Sequence, residues 1–135
     1  MQYVGSMNRA QQAYRVENKE FTNELDQLYL GIDRETENYK YLIRATDSAT
    51  FHYAISKQDD LESYIGAVFF AVYPDTQEEI TLTIMCEAAE PGKVIPAEPQ
   101  VKNGVPTCSA GTERLWGAIL LGGSKLSSEW KKKEK

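Results

Sequence analysis

Few of the residues that usually carry chemistry occur in this chain. It has one histidine, His52, and two cysteines, Cys86 and Cys108. There is no CxxC pair and no histidine near either cysteine, which argues against a zinc site or thioredoxin-like redox chemistry. There is no GxSxG, no HExxH and no phosphate-binding glycine loop. Gly5-Ser6 has no patterned base to activate the serine. The acidic groups Glu35/Glu37, Asp59-Asp60 and Glu78-Glu79 lie in turn-like stretches, without the spaced carboxylates and central glycine of a calcium loop. Each reads as a solvated face, and His52 as an ordinary strand residue. No catalytic, cofactor-binding or metal-binding residue is therefore expected, and no enzyme activity. Long apolar runs are also missing. The longest, Leu115 to Leu121, is far short of the roughly 20 residues that a membrane span needs.

The chain does have the composition of a folded domain, 41% hydrophobic and 26% charged over 135 residues. The size suits one domain with a core of its own. The formal net charge is -5. From Lys125 onward there are five lysines and two glutamates, so residues 1–124 carry about -8. Such an acidic body lacks the clustered Lys and Arg that phosphate contacts require, and nucleic acid is not expected as a primary partner. Residues 1–124 read as a single globular domain. Residues 125–135 read as a basic tail, a solvated end or an expression remnant.

The opening stretch carries a helical period. Val4, Met7, Ala10, Gln11 and Tyr14 recur at steps of three and four, which places them on one face. Asn8, Arg9, Gln12 and Arg15 fall between and are expected to meet water or neighbours. The spacing predicts a helix over about 3–18, with Asn18 able to adopt a left-handed cap and Phe21 folding back as an apolar plug. No convincing N-cap precedes it, as in a helix cut from a longer one.

Residues 19–38 read as a turn-rich connection. Thr22 or Asn23 could cap a short helical turn through Leu25 and Leu28. Phe21, Leu25, Leu28, Leu30 and Ile32 are the expected apolar anchors, with Gly31 free to turn. Period-two alternation then begins. It runs through Tyr39, Tyr41 and Ile43, and through Phe51, Tyr53 and Ile55. It continues through the Val- and aromatic-rich run from Tyr64 to Tyr73, and through Ile80, Leu82 and Ile84. Short polar turns between these runs favour antiparallel neighbours. One face of such a sheet needs a cover, which the helix can supply. The fold class is α+β, an N-terminal helix packed on an antiparallel sheet.

Pro91, Pro96, Pro99 and Pro106 mark a surface loop unsuited to helix or central strand. Cys86 and Cys108 bracket it. A bond between them would close a loop of about 22 residues and add about 3 kcal/mol on the chain-entropy estimate. Two reduced thiols or a reactive thiol are the alternatives. Leu115 to Leu121 could return as the last strand, ended by Gly122-Gly123.

Together, Ala10-Gln11, Tyr14, Asn18, Phe21, Leu25, Leu28 and Leu30-Gly31-Ile32 resemble the corresponding stretch of type IV pilins and pilin-like proteins, especially the cyanobacterial kind. The resemblance is good over the first quarter of the chain and loose beyond it. The leader, the strongly apolar helix half and the glutamate of pilins are not in this sequence. The resemblance therefore implies the soluble part of a pilin, lacking the apolar half of its helix. It also implies a disulfide-closed C-terminal loop between Cys86 and Cys108, and subunit contacts made by the loop after the helix. The implied function is a structural subunit of a surface filament serving motility, adhesion or DNA uptake (competence). The implied partners are other pilin subunits, with the full-length form anchored in the inner membrane before assembly and this chain monomeric by itself. A pseudopilin of a secretion system and a small secreted ligand-binding module are the alternatives.

Overall fold

The computed structural model describes residues 2–121 and 125–131, with side chains from 3 to 115. Helix α1, Gln2–Asn18, lies across a six-stranded antiparallel sheet. Its strands are β1 (Tyr39–Ala45), β2 (Ala49–Ser56), β3 (Tyr64–Val72), β4 (Glu79–Ala88), β7 (Thr112–Leu121) and β8 (Lys125–Lys131), in that spatial order. A separate two-stranded ribbon, β5 (Gln100–Lys102) with β6 (Val105–Thr107), lies in the β4–β7 connection. The fold is the expected helix on an antiparallel sheet.

One register row sets the position of the helix. His52 pairs with Gly66, and Gly66 with Met85, across β2, β3 and β4. A Cβ built on Gly66 would lie 2.5 Å from Val4 Cγ1 and 2.6 Å from Asn8 Oδ1. Glycine at this point lets the helix backbone approach the sheet more closely than any side chain would allow. Val4 and Met7 are fully buried there, joined by Leu25, Leu28, Tyr41, Ala54 and Met85 in one cluster. Ala10, Tyr14, Leu30 and Ile32 pack against its margin, partly buried. Phe21 is buried beside Arg15.

The connection behaves largely as its sequence suggests. Leu25–Leu28 form a 3-10 turn whose N-cap is Glu24, without a side-chain cap bond, and not the expected Thr22 or Asn23; Thr22 Oγ1 accepts the Glu24 backbone N–H at 3.0 Å. Gly31 takes a positive φ of 67°. The left-handed residue that ends α1 is Lys19 (φ 65°), one position beyond the expected Asn18. Asn18 remains helical and donates from Nδ2 to the Tyr14 carbonyl at 3.1 Å.

One expectation is resolved and two are corrected. Asn8 is fully buried, Gln12 donates to Thr81 Oγ1 at 2.9 Å, and Arg15 lies over the Phe70 ring. Of the four residues expected to meet water or neighbours, Arg9 is exposed and the other three meet neighbours. The helix packs on β2, β3 and β4, and its Tyr3 ring meets Tyr41 of β1, so its contact face is broader than its apolar stripe. Second, the proline-rich loop contains strands. Asn103 and Gly104 both have positive φ and turn β5 into β6, as an Asn-Gly pair does in a tight hairpin. Third, residues 125–131 of the expected tail pair with β7 as β8. Backbone pairing needs little from side chains, and it satisfies the outer N–H and C=O groups of β7. Gly122-Gly123 and residues 132–135 lie outside the described residues.

Gly66→Ala is expected to force α1 away from β3 and to destabilise the fold by about 1–3 kcal/mol, the usual range for overpacking. Urea titration monitored by far-UV circular dichroism checks this; an unchanged midpoint would show that α1 can shift without penalty.

Candidate functional site

Two features organise the chemistry of this molecule: a buried polar seam beneath α1, and a cystine-closed loop on the opposite face of the sheet. The seam is built from residues whose side chains are buried but not apolar. Gln11 is fixed by the backbone of Thr22, with Nε2 donating to the Thr22 carbonyl at 2.7 Å and Oε1 accepting its N–H at 3.1 Å. Gln11 Nε2 also donates to Thr50 Oγ1 at 3.1 Å. Thr50 Oγ1 lies 3.0 Å from His52 Nε2, and His52 Nδ1 lies 2.7 Å from Asn8 Oδ1. Asn8 Nδ2 donates to the Ile84 carbonyl at 3.2 Å.

The backbone at each end fixes the direction of this chain. A carbonyl can only accept, so Asn8 must present Oδ1 to His52, whose Nδ1 then carries the proton. Nε2 is left as an acceptor for the Thr50 hydroxyl. Every donor meets an acceptor with a neutral imidazole. Burial lowers the His52 pKa from 6.5 to about 3. His52 is thus a clasp between helix and sheet, through a network that could not be read from strand alternation.

On the opposite face, Phe51, Ile65, Ala67, Ile84 and Cys86 form a second cluster, edged by Tyr53, Phe69 and Cys108. The expected one-sided sheet is therefore covered on both sides. Cys86 and Cys108 are joined, with S–S 2.01 Å and Cα–Cα 5.9 Å. Pro96, Pro99 and Pro106 are buried. A bidentate ion pair latches the loop: Arg44 donates from Nε and Nη2 to the two Glu98 oxygens, both at 2.7 Å. The Tyr53 hydroxyl also donates to Glu98. Arg44 holds the Glu98 carboxyl below its ordinary pKa, while burial and the Glu98 contact push the Tyr53 hydroxyl up to about 12. Residues Val94, Ile95, Val101 and Val105 of the same loop remain 41–69% exposed.

The acidic groups do not converge. Glu35 pairs with Lys57 at 2.6 Å, and Asp59 lies 4.0 Å from Lys93. Among the described residues no group of three His, Cys, Asp or Glu side chains is placed to hold a metal. No described helix is long and apolar enough to cross a membrane.

A helix laid on an antiparallel sheet, with a cystine closing the loop after the fourth strand, is the architecture of a pilin-like domain. Residues 1–109 match the family model described as type IV pilin-like G and H, and the chain belongs to that family. The match takes in α1, the connection after it, β1 to β6 and both cysteines. None of the curated proteins and none of the solved structures compared with the chain gives a match.

The seam and the cystine each give a measurable consequence. His52 is the sole histidine, and its pKa is lower in the folded state than in the unfolded chain. Its stabilising effect is complete above the unfolded value of about 6.5 and is lost as pH falls towards 3. Between pH 6.5 and 4.5, above the ordinary carboxylate range, unfolding free energy is expected to fall by up to about 1.4 kcal/mol per pH unit. Denaturant titrations across that window should show the slope, and His52→Gln should remove it. For the cystine, paired Cys86→Ser and Cys108→Ser substitution is expected to cost about 3 kcal/mol. An unchanged thermal midpoint would show that Arg44–Glu98 and the buried prolines hold the loop without it.

Proposed function

We propose that this chain is a structural subunit of an extracellular type IV pilus or pilin-like filament, supporting motility, adhesion or DNA uptake. It acts by assembly with other pilin subunits and not by catalysis. The full-length form is held in the inner membrane before assembly, and the chain by itself is monomeric or weakly associating. The observation that carries this reading is the family match over residues 1–109, which joins helix, sheet and cystine in one unit.

The geometry of α1 supports it. A filament subunit must pass force between its helix and its globular sheet without the two separating. Apolar packing by itself resists sliding weakly, because it has no direction. The hydrogen-bonded chain from Thr22 to Ile84 does have direction, and a displacement of α1 along the sheet would strand several buried polar groups at once. The connection at 19–38 leaves Tyr29 91% exposed beside partly buried Leu30 and Ile32, a surface suited to contact with another subunit.

A strain lacking the gene should lose filaments or the behaviours that depend on them, and the protein should appear in the sheared surface fraction of the parent. Normal filaments in the deletion strain, with a defect confined to protein secretion, would favour a pseudopilin role and overturn this reading.

A further inference from the structure

Near the C-terminal end of α1, Arg15 and Lys19 line a cleft of about 340 Å³, together with Val16, Phe70, Gln77 and Thr81. The Arg15 guanidinium carbon lies 4.1 Å from the Phe70 ring centroid and 5.8 Å from that of Phe21. Stacking of this kind uses the flat face of the guanidinium and leaves its in-plane N–H donors free to bond elsewhere. Those donors have no hydrogen-bond or ion-pair partner among the described residues; Nε is shut off from water, so Nη1 and Nη2 are the donors that an incoming ligand can reach.

We propose that this cleft is an oxyanion site that takes a carboxylate in the plane of the Arg15 guanidinium. Two parallel N–H donors fit a carboxylate bidentately, and Lys19 supplies a second positive charge. Lys19 reaches the cleft because its left-handed backbone turns the chain out of the helix at that position. Gln77 and Thr81 offer further polar contacts along the wall. Glu79 also lines the cleft but makes no ion pair with either cation, so the three charges sum to +1 and an anion is still favoured. The carboxylate can come from a small free acid or from an acidic side chain of a second copy of this chain, whose body carries a large negative excess. The proposal does not depend on the filament reading.

The test uses the full chain and glutarate as probe, titrated at constant ionic strength against chloride. Backbone amide shifts are read by two-dimensional NMR. Saturable shifts confined to the surroundings of Arg15, Lys19, Gln77 and Thr81 are expected, weakened at least about ten-fold by Arg15→Gln, the loss expected for a charged hydrogen bond. Lys19→Gln, on an exposed side chain, should weaken binding several-fold and carries the test if Arg15→Gln fails to fold. Shifts that do not saturate, that chloride reproduces, or that Lys19→Gln leaves unchanged overturn the site. Sedimentation velocity over a concentration series then separates the sources. Self-association reversed by excess glutarate assigns the carboxylate to a second copy, and glutarate binding to a chain that stays monomeric assigns it to a free acid.

Discussion

The close approach of α1 to β3 at Gly66 is the constraint on which the rest of this structure depends. With no Cβ at that position, Val4 and Asn8 descend onto the sheet surface. That depth brings Asn8 within hydrogen-bond reach of both His52 on β2 and the Ile84 carbonyl on β4. One turn further along, Gln11 reaches Thr50 and the backbone of Thr22. A helix held even slightly higher would leave those groups buried and unpaired. The polar seam exists because the glycine does, and the seam in turn fixes the rotation of the helix and the path of the chain leaving it.

The second face of the sheet is organised by different physics. A segment rich in proline cannot form a helix or a central strand, and has few apolar residues with which to build a core of its own. It is held instead at discrete points. The cystine ties it to β4, the Arg44–Glu98–Tyr53 cluster ties it to β1 and β2, and the Asn103-Gly104 turn folds its far end into a ribbon. Pro96, Pro99 and Pro106 of this segment are buried, and Cys108 packs on the sheet face that α1 does not cover. The two faces divide the demands of a pilin-like domain. One is clamped to the helix by directional bonds, and the other carries an anchored loop whose valines and isoleucine stay partly exposed.

Much of this was legible from residues alone. Period-two alternation located β1 to β4, and steps of three and four placed Val4, Met7, Ala10 and Tyr14 on the sheet side of α1. The spacing of Leu25 and Leu28 marked a helical turn. What went unread has specific causes. Whether Asn8, Gln12 and Arg15 meet water or neighbours stayed open, because periodicity weighs polarity without knowing how many strands the helix will touch. The β5–β6 ribbon was masked by its prolines, although Asn103-Gly104 is a strong hairpin signal in its own right. The pairing of β8 rests on backbone groups of β7 that no side-chain pattern advertises.

The sequence by itself determined the fold class, the order of α1 and β1 to β4, the sparse supply of catalytic groups and the two positions at which a cystine could form. Those properties depend on local propensity and on which residue types are present. The tertiary structure decided the rest: that Cys86 and Cys108 are bonded, that both faces of the sheet are covered, and that the lone histidine is a neutral, fully paired clasp. It also decided that Arg15 stands stacked on Phe70 with its in-plane donors unanswered by the described residues. Each of these follows from distances between residues remote in the chain, from 22 positions for the cystine to 76 for Asn8 and Ile84. Hydrogen bonds and desolvation act over a few ångströms, so their outcome is set when the packed elements meet.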